Sequence, residues 1–275
     1  MSDYSDIQVC IEDPCCVITL NRPQTLNAFT YHTLAEIRRA IDAATADKRV
    51  VGIIITGAGR GFSSGLDAQV LAAATQSGES TSSQRAENEL PGLFSYLLEV
   101  PKPVIAAING VAAGGGLILA LMSDLRIAST EASFITVFLK RGLIAEHGSS
   151  WLLPRLVGTG RALDLLWLSD RIDARSAAQM GLVERLVDAD QLLDTAKAYV
   201  RQLSETSAPK AIAATKRLVY NHLGVGYESA LREAEAVQNQ FVAAADAAEG
   251  ARALIEKRPA RFARLGAGPD ELQDA

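Results

Sequence analysis

Short apolar runs at strand-like spacing fill the first part of the chain. Residues 7–11 and 16–20 alternate apolar and polar positions on either side of Asp13–Pro14, which predicts a β-hairpin. Two further runs, VVGIIIT at 50–56 and VIAAIN at 104–109, are continuously apolar or nearly so. Runs of this length are typical of strands that are buried on both faces. We therefore expect a hairpin and two strands that lie inside the core.

Helical periodicity separates these strands. Thr30 precedes a segment whose apolar positions recur every three or four residues, so we expect Thr30 to cap a helix. Those positions are Leu34, Ile37 and Ile41. The stretch 72–83 is rich in Ala, Ser, Thr and Gln and predicts a loop, and a helix is expected from about residue 84 to 99, ahead of Pro101.

The second half of the chain has a different pattern. Runs at 123–128 and 132–137 still indicate strands, but helical spacing dominates from Ser149 to about Lys257. Strands and helices therefore alternate first, and helices come last. This order favours an α/β fold with a helical C-terminal section that covers the core or packs against other subunits.

Length and charge narrow the classes of protein that fit this pattern. The 275 residues can form one large domain or two, and 48% apolar with 21% charged residues is ordinary for a globular protein. The formal net charge of −5 provides no basic field for nucleic acid or for an anionic membrane surface. No run approaches the ~20 apolar residues of a membrane span. We expect neither nucleic acid nor a membrane among the partners.

The cysteines and the first residues bear on the compartment and on metals. Cys10, Cys15 and Cys16 are an odd number with two adjacent, which fits neither a disulfide framework nor a zinc site. No group of His, Cys and Asp has metal-ligand spacing, so no metal site is predicted. The first residues lack the basic and apolar regions of a secretory signal. The expected location is the cytoplasm.

A glycine cluster follows each of the two buried strands, GAGRGFSSGLD after the first and GVAAGGG after the second. The first is not a dinucleotide-binding fingerprint, because its sixth position is Phe62, and no Walker lysine follows it. A helix that opens on glycines presents free N–H groups. One donor from each cluster would form an oxyanion hole for a carbonyl that gains negative charge. The alternative is that the glycines only permit close packing of helix on strand.

These clusters belong to a longer series of motifs. The series is NRPQTLNAF, ITGAGRGFSSGLDA, PKPVIAAINGVAAGGG, SDLRIAS followed by ASF, LPRLVG, and EKRPARF. In this order and spacing, the chain resembles the crotonase (enoyl-CoA hydratase/isomerase) superfamily along nearly its whole length. The resemblance implies an α/β fold, a spiral of repeated ββα turns with a helical C-terminal trimerisation section. It divides the chain into a core domain, 1–200, and a helical section, 201–275.

The resemblance also implies a site. The backbone N–H groups of Leu66 and Gly115 would form an oxyanion hole on the thioester oxygen of an acyl-CoA substrate. The implied substrate-binding residues are Gln24, Leu26, Ala28, Ser64, Asp67, Ala68, Gly114, Phe138, Lys257 and Phe262. Asp67 has an alternative role as a helix cap, and the tail that carries Lys257 and Phe262 has an alternative as a solvated helix end. Coenzyme A would enter as part of the substrate, with no permanently bound cofactor, and a homotrimer or homohexamer is expected.

The sequence departs from the family pattern where hydratases carry two glutamates. Those positions hold Ile118 and Phe138, and neither side chain can transfer a proton. Glu146 lies where some family members with other chemistries carry an acidic residue, so it is the candidate acid/base, with a helix-dipole role as the alternative. His147 could share the proton transfer. We expect isomerase or hydrolase-like chemistry on an acyl-CoA; a non-catalytic acyl-CoA-binding protein is the alternative.

Overall fold

The computed structural model describes residues 4–77 and 90–266. The strands are β1 (Ile7–Glu12), β2 (Cys15–Leu20), β3 (Gly52–Gly57), β4 (Gly61–Ser63), β5 (Val104–Ile108), β6 (Val111–Ala113), β7 (Leu125–Ser129), β8 (Ser133–Ile135), β9 (Ile172–Asp173) and β10 (Arg185–Val187). The α-helices are α1 (Tyr31–Ala46), α2 (Ala68–Ser77), α3 (Gly115–Met122), α4 (Ser149–Val157), α5 (Thr159–Leu168), α6 (Ala174–Gln179), α7 (Leu192–Thr206), α8 (Pro209–His222), α9 (Tyr227–Val242) and α10 (Ala245–Glu256).

The strands form two sheets within the described residues. The larger has the order β1-β2-β3-β5-β7-β10, and the smaller has the order β4-β6-β8-β9. Pairing is parallel except at β1–β2 and β8–β9. Successive strands enter the two sheets in turn and are followed by a helix, as in β3-β4-α2 and β5-β6-α3. The predicted α/β fold with a spiral of repeated ββα turns is confirmed.

The hairpin and the first helix form where the pattern placed them. Strands β1 and β2 pair in antiparallel register around Asp13–Pro14. Thr30 caps α1 through a reciprocal pair of hydrogen bonds with Thr33, whose N–H donates to the Thr30 hydroxyl at 3.1 Å. The buried positions of α1 include Ile37 and Ile41. The N-cap therefore fixes the start of the helix, and its apolar face is turned towards the core.

The larger sheet is covered on both faces, which explains its continuous apolar strands. In β3, Ile53 and Ile55 pack into the main core with α1 and α3, whereas Ile54 packs into a second cluster on the opposite face. Helix α7 contributes Val200 to that second cluster. All eight residues of α3 are buried. Both faces of each central strand are thus removed from water, and alternation of apolar and polar residues is lost.

Several elements differ from the predicted pattern. Helix α2 occupies the first part of the predicted loop 72–83, and the rest of that loop lies outside the described residues. Residues 90–94 are irregular and are followed by a short 3₁₀ helix, Ser95–Leu98, so the helix predicted to reach residue 99 is wrong over its described part. The sequence pattern also missed four short strands: β4, β6, β9 and β10. Strands of two or three residues carry too few alternations to stand out from a glycine turn or a helical segment.

Buried polar contacts fasten the C-terminal helices to the larger sheet. Lys216 of α8 donates to Asp124 Oδ2 at 2.8 Å, and the Tyr220 hydroxyl donates to Asp124 Oδ1 at 2.9 Å. Asp124 in turn accepts from the Val104 N–H at 2.7 Å, at the amino end of β5. Burial lowers the pKa of Lys216, although Asp124 opposes that shift. The predicted division at residue 200 falls within α7 and stays a prediction.

No helix in the described ranges is both long enough and apolar enough to pass through a lipid bilayer.

The N-terminal segment is held by a buried carboxylate, which gives a testable pH effect. Glu36, with a side chain 2% exposed, accepts from the Ser5 N–H at 2.7 Å and the Asp6 N–H at 2.8 Å. Burial alone would raise the pKa of Glu36, but these hydrogen bonds outweigh it and the pKa lies below its usual value. The charged form is therefore stabilised in the folded state, and its contribution is lost as the pH falls through the folded pKa.

We expect Glu36→Gln to lower the free energy of unfolding by ~1–3 kcal/mol near neutral pH, since an amide cannot accept from both N–H donors. The difference from wild type should shrink between about pH 5.5 and pH 3. Urea unfolding followed by circular dichroism measures both. A difference that is the same at the two pH values would contradict the charge-dependent role.

Candidate active site at the two glycine turns

The glycine turns that follow β3–β4 and β5–β6 contact each other directly. A Cβ added at Gly65 would lie 2.8 Å from the Gly115 nitrogen and 2.7 Å from the Ala113 oxygen. Gly65 also has a φ of +89°, a conformation that side chains rarely adopt. Only glycine fits here, and its absent side chain lets the two backbones come within van der Waals contact.

Each turn carries a backbone N–H without an acceptor in the described residues. Phe29 donates to Gly65 O at 2.8 Å and accepts from the Asp67 N–H at 2.9 Å, so the Leu66 N–H between them points away from this bridge. Gly115 is the first residue of α3, where N–H groups have no intrahelical partner. The two free donors, Leu66 N–H and Gly115 N–H, therefore lie on turns that touch.

Gly114 and Gly116, the other two glycines of the GGG run, let α3 start close to the neighbouring backbone. Gly114 is the N-cap of α3 with φ 50° and ψ −118°, and Val137 packs against it at 2.9 Å from an added Cβ. At Gly116 an added Cβ would lie 2.2 Å from the Ser63 carbonyl oxygen. Helix α3 thus starts in direct backbone contact with the preceding turn of the spiral, and its positive dipole end is directed to the same place as its free N–H groups.

Buried hydrogen bonds hold the first glycine turn in shape. The Ser63 hydroxyl donates to Asn27 O at 2.8 Å and accepts from the Gly65 N–H at 3.1 Å. The Asn27 side-chain amide donates to Ala58 O at 3.0 Å and to Gly61 O at 2.8 Å. Asn27 and Ser63 are both buried. Asn27 has a φ of 56°, a left-handed conformation that asparagine tolerates better than most residues.

Most of the predicted substrate-binding residues border this turn. The Ser64 N–H donates to Leu26 O at 2.9 Å, and the Ser64 hydroxyl donates to Thr25 O at 3.1 Å. The segment 24–28 therefore lies beside the segment 64–68. The residues brought together in this way are Gln24, Leu26, Ala28, Ser64, Asp67 and Ala68.

Arg22 ties the two segments to each other. Its guanidinium donates to Ala28 O at 2.6 Å and to Asp67 Oδ2 at 3.5 Å. Asp67 Oδ1 accepts from the Gln69 N–H at 3.1 Å, which is the geometry of the helix cap named as its alternative role. Asp67 is thus engaged with Arg22 and with the first turn of α2. These contacts explain the position of Asp67, and its role in substrate binding stays a prediction.

The two positions that hold glutamate in hydratases are buried and apolar. Ile118 lies one turn into α3 and is 0% exposed, and Phe138 is 4% exposed in the same core cluster. No proton-transferring side chain stands at either place. In the structure, as in the sequence, the two positions expected to carry the hydratase glutamates therefore have no acidic group.

Glu146 lies in the turn before α4, next to a segment that also touches α3. An added Cβ at Gly92 would lie 3.5 Å from His147 Cα, and the side chain of Leu93 lies 3.5 Å from an added Cβ at Gly115. Gly92 and Leu93 thus join the Glu146 turn to the N-terminus of α3. The Glu146 carboxylate is 32% exposed. Its role as acid/base stays a prediction.

The predicted tail residues lie away from the glycine turns of the same chain. Lys257 is exposed and follows the last residue of α10, and Phe262 packs against Gly250 of that helix. Arg264 donates to Asp13 Oδ1 at 3.1 Å, beside the amino end of β2. The glycine turns lie at the carboxyl ends of the parallel strands, so Arg264 docks at the opposite ends of these strands.

No cluster of three or more His, Cys, Asp or Glu side chains suited to a metal ion occurs among residues 4–77 and 90–266.

Comparison with known proteins assigns the family. The family model for enoyl-CoA hydratase/isomerase matches residues 11–264, which is most of the chain. The chain belongs to the enoyl-CoA hydratase/isomerase family. The predicted membership of the crotonase superfamily is confirmed, and the protein is an enzyme of a lyase and isomerase family.

Relatives in this family have different names for their reactions. The chain is 37% identical over 229 residues to a probable enoyl-CoA hydratase of Mycobacterium bovis, covering 82% of this chain and 80% of the relative. It is 33% identical over 252 residues to the 1,2-epoxyphenylacetyl-CoA isomerase of Escherichia coli, covering 92% and 96%. Among solved structures, a putative enoyl-CoA hydratase from Streptomyces coelicolor matches with a TM-score of 0.85 and 32% identity over 95% of each chain.

Sequence reasoning missed the residues that support the family's glycine turns. Asn27 could have been found from its position beside the motif and its ease in left-handed backbone, and Ser63 from its place next to Gly65. Val137 has no such signal. It has a φ of 59°, which is a clear outlier for a β-branched residue, and it packs on Gly114.

The strain at Val137 gives a prediction. Where φ is negative, a protein with glycine at a given position is usually less stable than one with alanine there. In a left-handed conformation, however, any residue with a Cβ costs ~1–2 kcal/mol. We expect Val137→Gly to be more stable than Val137→Ala by ~1 kcal/mol. The matched pair at Val219, an exposed position in α8, should have the usual order, with alanine the more stable. Denaturant unfolding of the four variants measures both differences, and the same order at both sites would contradict the strain.

Proposed function

We propose that this enzyme binds an acyl-CoA thioester at the two glycine turns and converts it through an enolate. The observation that supports this most directly is the contact between the turns that carry the free Leu66 and Gly115 N–H groups. Two fixed backbone donors suit an oxygen that becomes negative, because they need no reorganisation as the charge develops. The N-terminus of α3 adds the positive end of its dipole. Leu66 and Gly115 thus act through backbone atoms, whatever their side chains.

Glu146 is the proposed acid/base. In a double-bond isomerisation its carboxylate removes a proton from C2 of a 3-enoyl-CoA, and the electron pair moves onto the thioester oxygen. The protonated Glu146 then delivers a proton to C4, either the one it removed or one exchanged with solvent on its carboxyl group. This regenerates the carboxylate, and the 2-enoyl-CoA is released. One carboxylate is enough for this sequence. In a hydrolase-like reaction on a 3-ketoacyl-CoA, the carboxylate would take a proton from a water that adds to the C3 carbonyl. Cleavage of the C2–C3 bond then releases a carboxylic acid and leaves a thioester enolate, which is protonated at C2.

Two-glutamate hydration does not suit this chain. Addition of water across the double bond uses one group for the water and another for the α-carbon proton. The corresponding positions, Ile118 and Phe138, lie in the apolar core. Neither side chain can transfer a proton, which leaves Glu146 as the proposed acid/base.

Coenzyme A would be held by the loops beside the first glycine turn. Gln24 is exposed at the outer end, Leu26 and Ala28 follow towards the turn, and Ser64 and Ala68 face them across the same loops. Gly114 and Phe138 would border the thioester. Arg264 holds the tail at the amino end of β2, away from the glycine turns, so Lys257 and Phe262 would serve the site of a neighbouring subunit. A homotrimer or homohexamer, assembled through the helical section 201–275, accommodates this arrangement.

The test is turnover on three CoA esters. We expect trans-3-hexenoyl-CoA to be isomerised, as seen from the rise in enoyl-thioester absorbance, and butyryl-CoA to exchange its α-protons with D₂O. Crotonyl-CoA should be hydrated ~10²–10⁴-fold more slowly than by a two-glutamate hydratase assayed in parallel, which is the usual contribution of acid–base catalysis. Efficient hydration of crotonyl-CoA would contradict the proposed mechanism.

The buried Ile118 and Phe138 favour one other function, non-catalytic acyl-CoA binding. That function predicts a higher unfolding temperature in the presence of butyryl-CoA, with no α-proton exchange and no isomerisation. Exchange without net isomerisation would retain the enolate chemistry and point to another reaction that starts from it.

A further inference from the structure

A buried imidazole lies beside the Glu146 carboxylate. His147 Nε2 is 3.5 Å from Glu146 Oε1, and the two side chains are 6% and 32% exposed. Within the described chain, Glu146 is the carboxylate that lies within 4.0 Å of this ring. The ring is therefore fixed by its surroundings, whereas the carboxylate reaches solvent on one side.

The backbone brings these consecutive side chains to the same side. Neighbouring residues in extended chain point to opposite faces, but His147 has a φ of 54° and Gly148 a φ of 80°. The Glu146 carbonyl is held by the Ser149 N–H at 3.1 Å and by the Ser149 hydroxyl at 2.8 Å. The left-handed conformation of His147 costs conformational energy, and the contacts of the turn maintain this conformation.

The turn has little room to move. An added Cβ at Gly148 would lie 2.6 Å from Met122 Cε, at the C-terminal end of α3. On the other side, Gly92 lies against His147 Cα, and its neighbour Leu93 reaches Gly115. Gly92 and Met122, which pack on this turn, are uncharged, and Glu146 is the carboxylate within 4.0 Å of the ring among the described residues. The backbone of the turn is thus packed between these two residues, and the buried imidazole lies beside the Glu146 carboxylate.

We propose that His147 is a positioning residue, which holds the Glu146 carboxylate in the orientation needed for proton transfer at the α-carbon. The inference rests on the proposed function of Glu146. A glutamate that is about one-third exposed has three rotatable bonds and visits several rotamers, and a buried ring that faces its carboxylate restricts that choice. The 3.5 Å separation can shorten when substrate binds, since catalytic hydrogen bonds are often long without substrate.

The test uses α-proton exchange of butyryl-CoA in D₂O, followed by ¹H NMR across about pH 5 to 9. His147→Phe keeps the bulk of a ring and removes the nitrogen. We expect kcat for exchange to fall ~10- to 100-fold with KM within about 2-fold, as for a misoriented catalytic group, and the pH profile to shift. His147→Gln places an amide nitrogen near the position of Nε2 and should recover most of the loss.

A matched control separates this effect from the general loss of a histidine. His222 also faces a carboxylate, with its Nε2 3.4 Å from Glu233 Oε2, and lies at the end of α8. His222→Gln should leave the exchange rate and its pH profile unchanged. Thermal unfolding of each variant shows whether it is folded, and the kcat comparison uses the variants whose midpoints match the wild type.

The outcomes distinguish the two proposals. If Glu146→Gln exchanges at the wild-type rate, the proposed acid/base is wrong. If Glu146→Gln loses exchange while His147→Phe keeps both the rate and the pH profile, the proposed acid/base role of Glu146 is retained and the positioning role of His147 is wrong. If His147→Phe and His147→Gln lose the same amount, the nitrogen does not support the carboxylate, and the inference fails in the same way.

Discussion

Glu146→Gln should reduce kcat for isomerisation of trans-3-hexenoyl-CoA by ~10²–10⁴-fold, the usual contribution of a general acid/base. The amide has nearly the same shape as the carboxylate but cannot take the α-proton. KM should change little, because in the proposed site the backbone donors and the loops at 24–28 and 64–68 hold the thioester, and Glu146 does not. Initial rates from the enoyl-thioester absorbance give both constants.

The matched control for this change is Glu131→Gln. Glu131 is an exposed acid on the turn before β8, and its exchange for glutamine should leave kcat within about twofold of wild type, as for most surface substitutions. A variant that keeps wild-type kcat and the wild-type pH profile would remove Glu146 from the mechanism.

We expect Gly116→Ala to lower kcat by displacing the backbone of the second glycine turn. An added Cβ lies 2.2 Å from the Ser63 carbonyl oxygen and 2.8 Å from Ser63 Cβ, so α3 and β4 must separate by about 1 Å to reach ordinary contact. That movement displaces the Gly115 N–H relative to the Leu66 N–H. Displacements of this size, or the loss of one oxyanion donor, cost ~10²–10³ in kcat. Overpacking should also cost ~1–3 kcal/mol of the free energy of unfolding.

Gly160→Ala serves as the control for this glycine. Gly160 lies in α5, and nothing stands within 4 Å of an added Cβ. Alanine should therefore stabilise the protein by up to ~1 kcal/mol through its better helix propensity and leave kcat unchanged. Denaturant unfolding and initial rates are measured on both variants. If Gly116→Ala retained wild-type kcat, close apposition of the two glycine turns would have no part in catalysis.

The large features of the fold could be predicted because each has a strong local signal. Continuous aliphatic runs predicted β3 and β5, and Thr30 with a 3.6-residue apolar period predicted α1. Strand β6 could not be found in this way, since Val111–Ala113 has three residues inside a glycine cluster. Its strand character comes from pairing with β4 and β8, which are distant in the sequence. The error at residues 90–98 has the same origin, because tertiary contacts outweigh helix propensity there.

The candidate site was predictable where it depends on backbone and motif, and less so where it depends on conformation. Gly65 and Gly116 stand out because an added Cβ at either position would collide with the backbone of the neighbouring turn. Nothing in a residue type announces the left-handed φ of Val137 or His147, which the surrounding packing imposes. The sequence also could not show that Phe262 packs on α10 and that Arg264 contacts Asp13, since that depends on how the tail folds back after α10.

The wholly buried helix α3 has a consequence for how this enzyme could change its reaction. Acquiring the hydratase glutamates means placing carboxyl groups at positions 118 and 138, and each unpaired buried charge costs several kcal/mol. A typical domain has only ~5–15 kcal/mol of stability in total, and lineages that fall below the threshold are eliminated. A descendant with Ile118→Glu alone would lose stability before the second carboxylate could make it useful. Under the proposed mechanism, evolution towards hydration therefore requires prior stabilising changes elsewhere, and the apolar helix limits which reactions the lineage can reach.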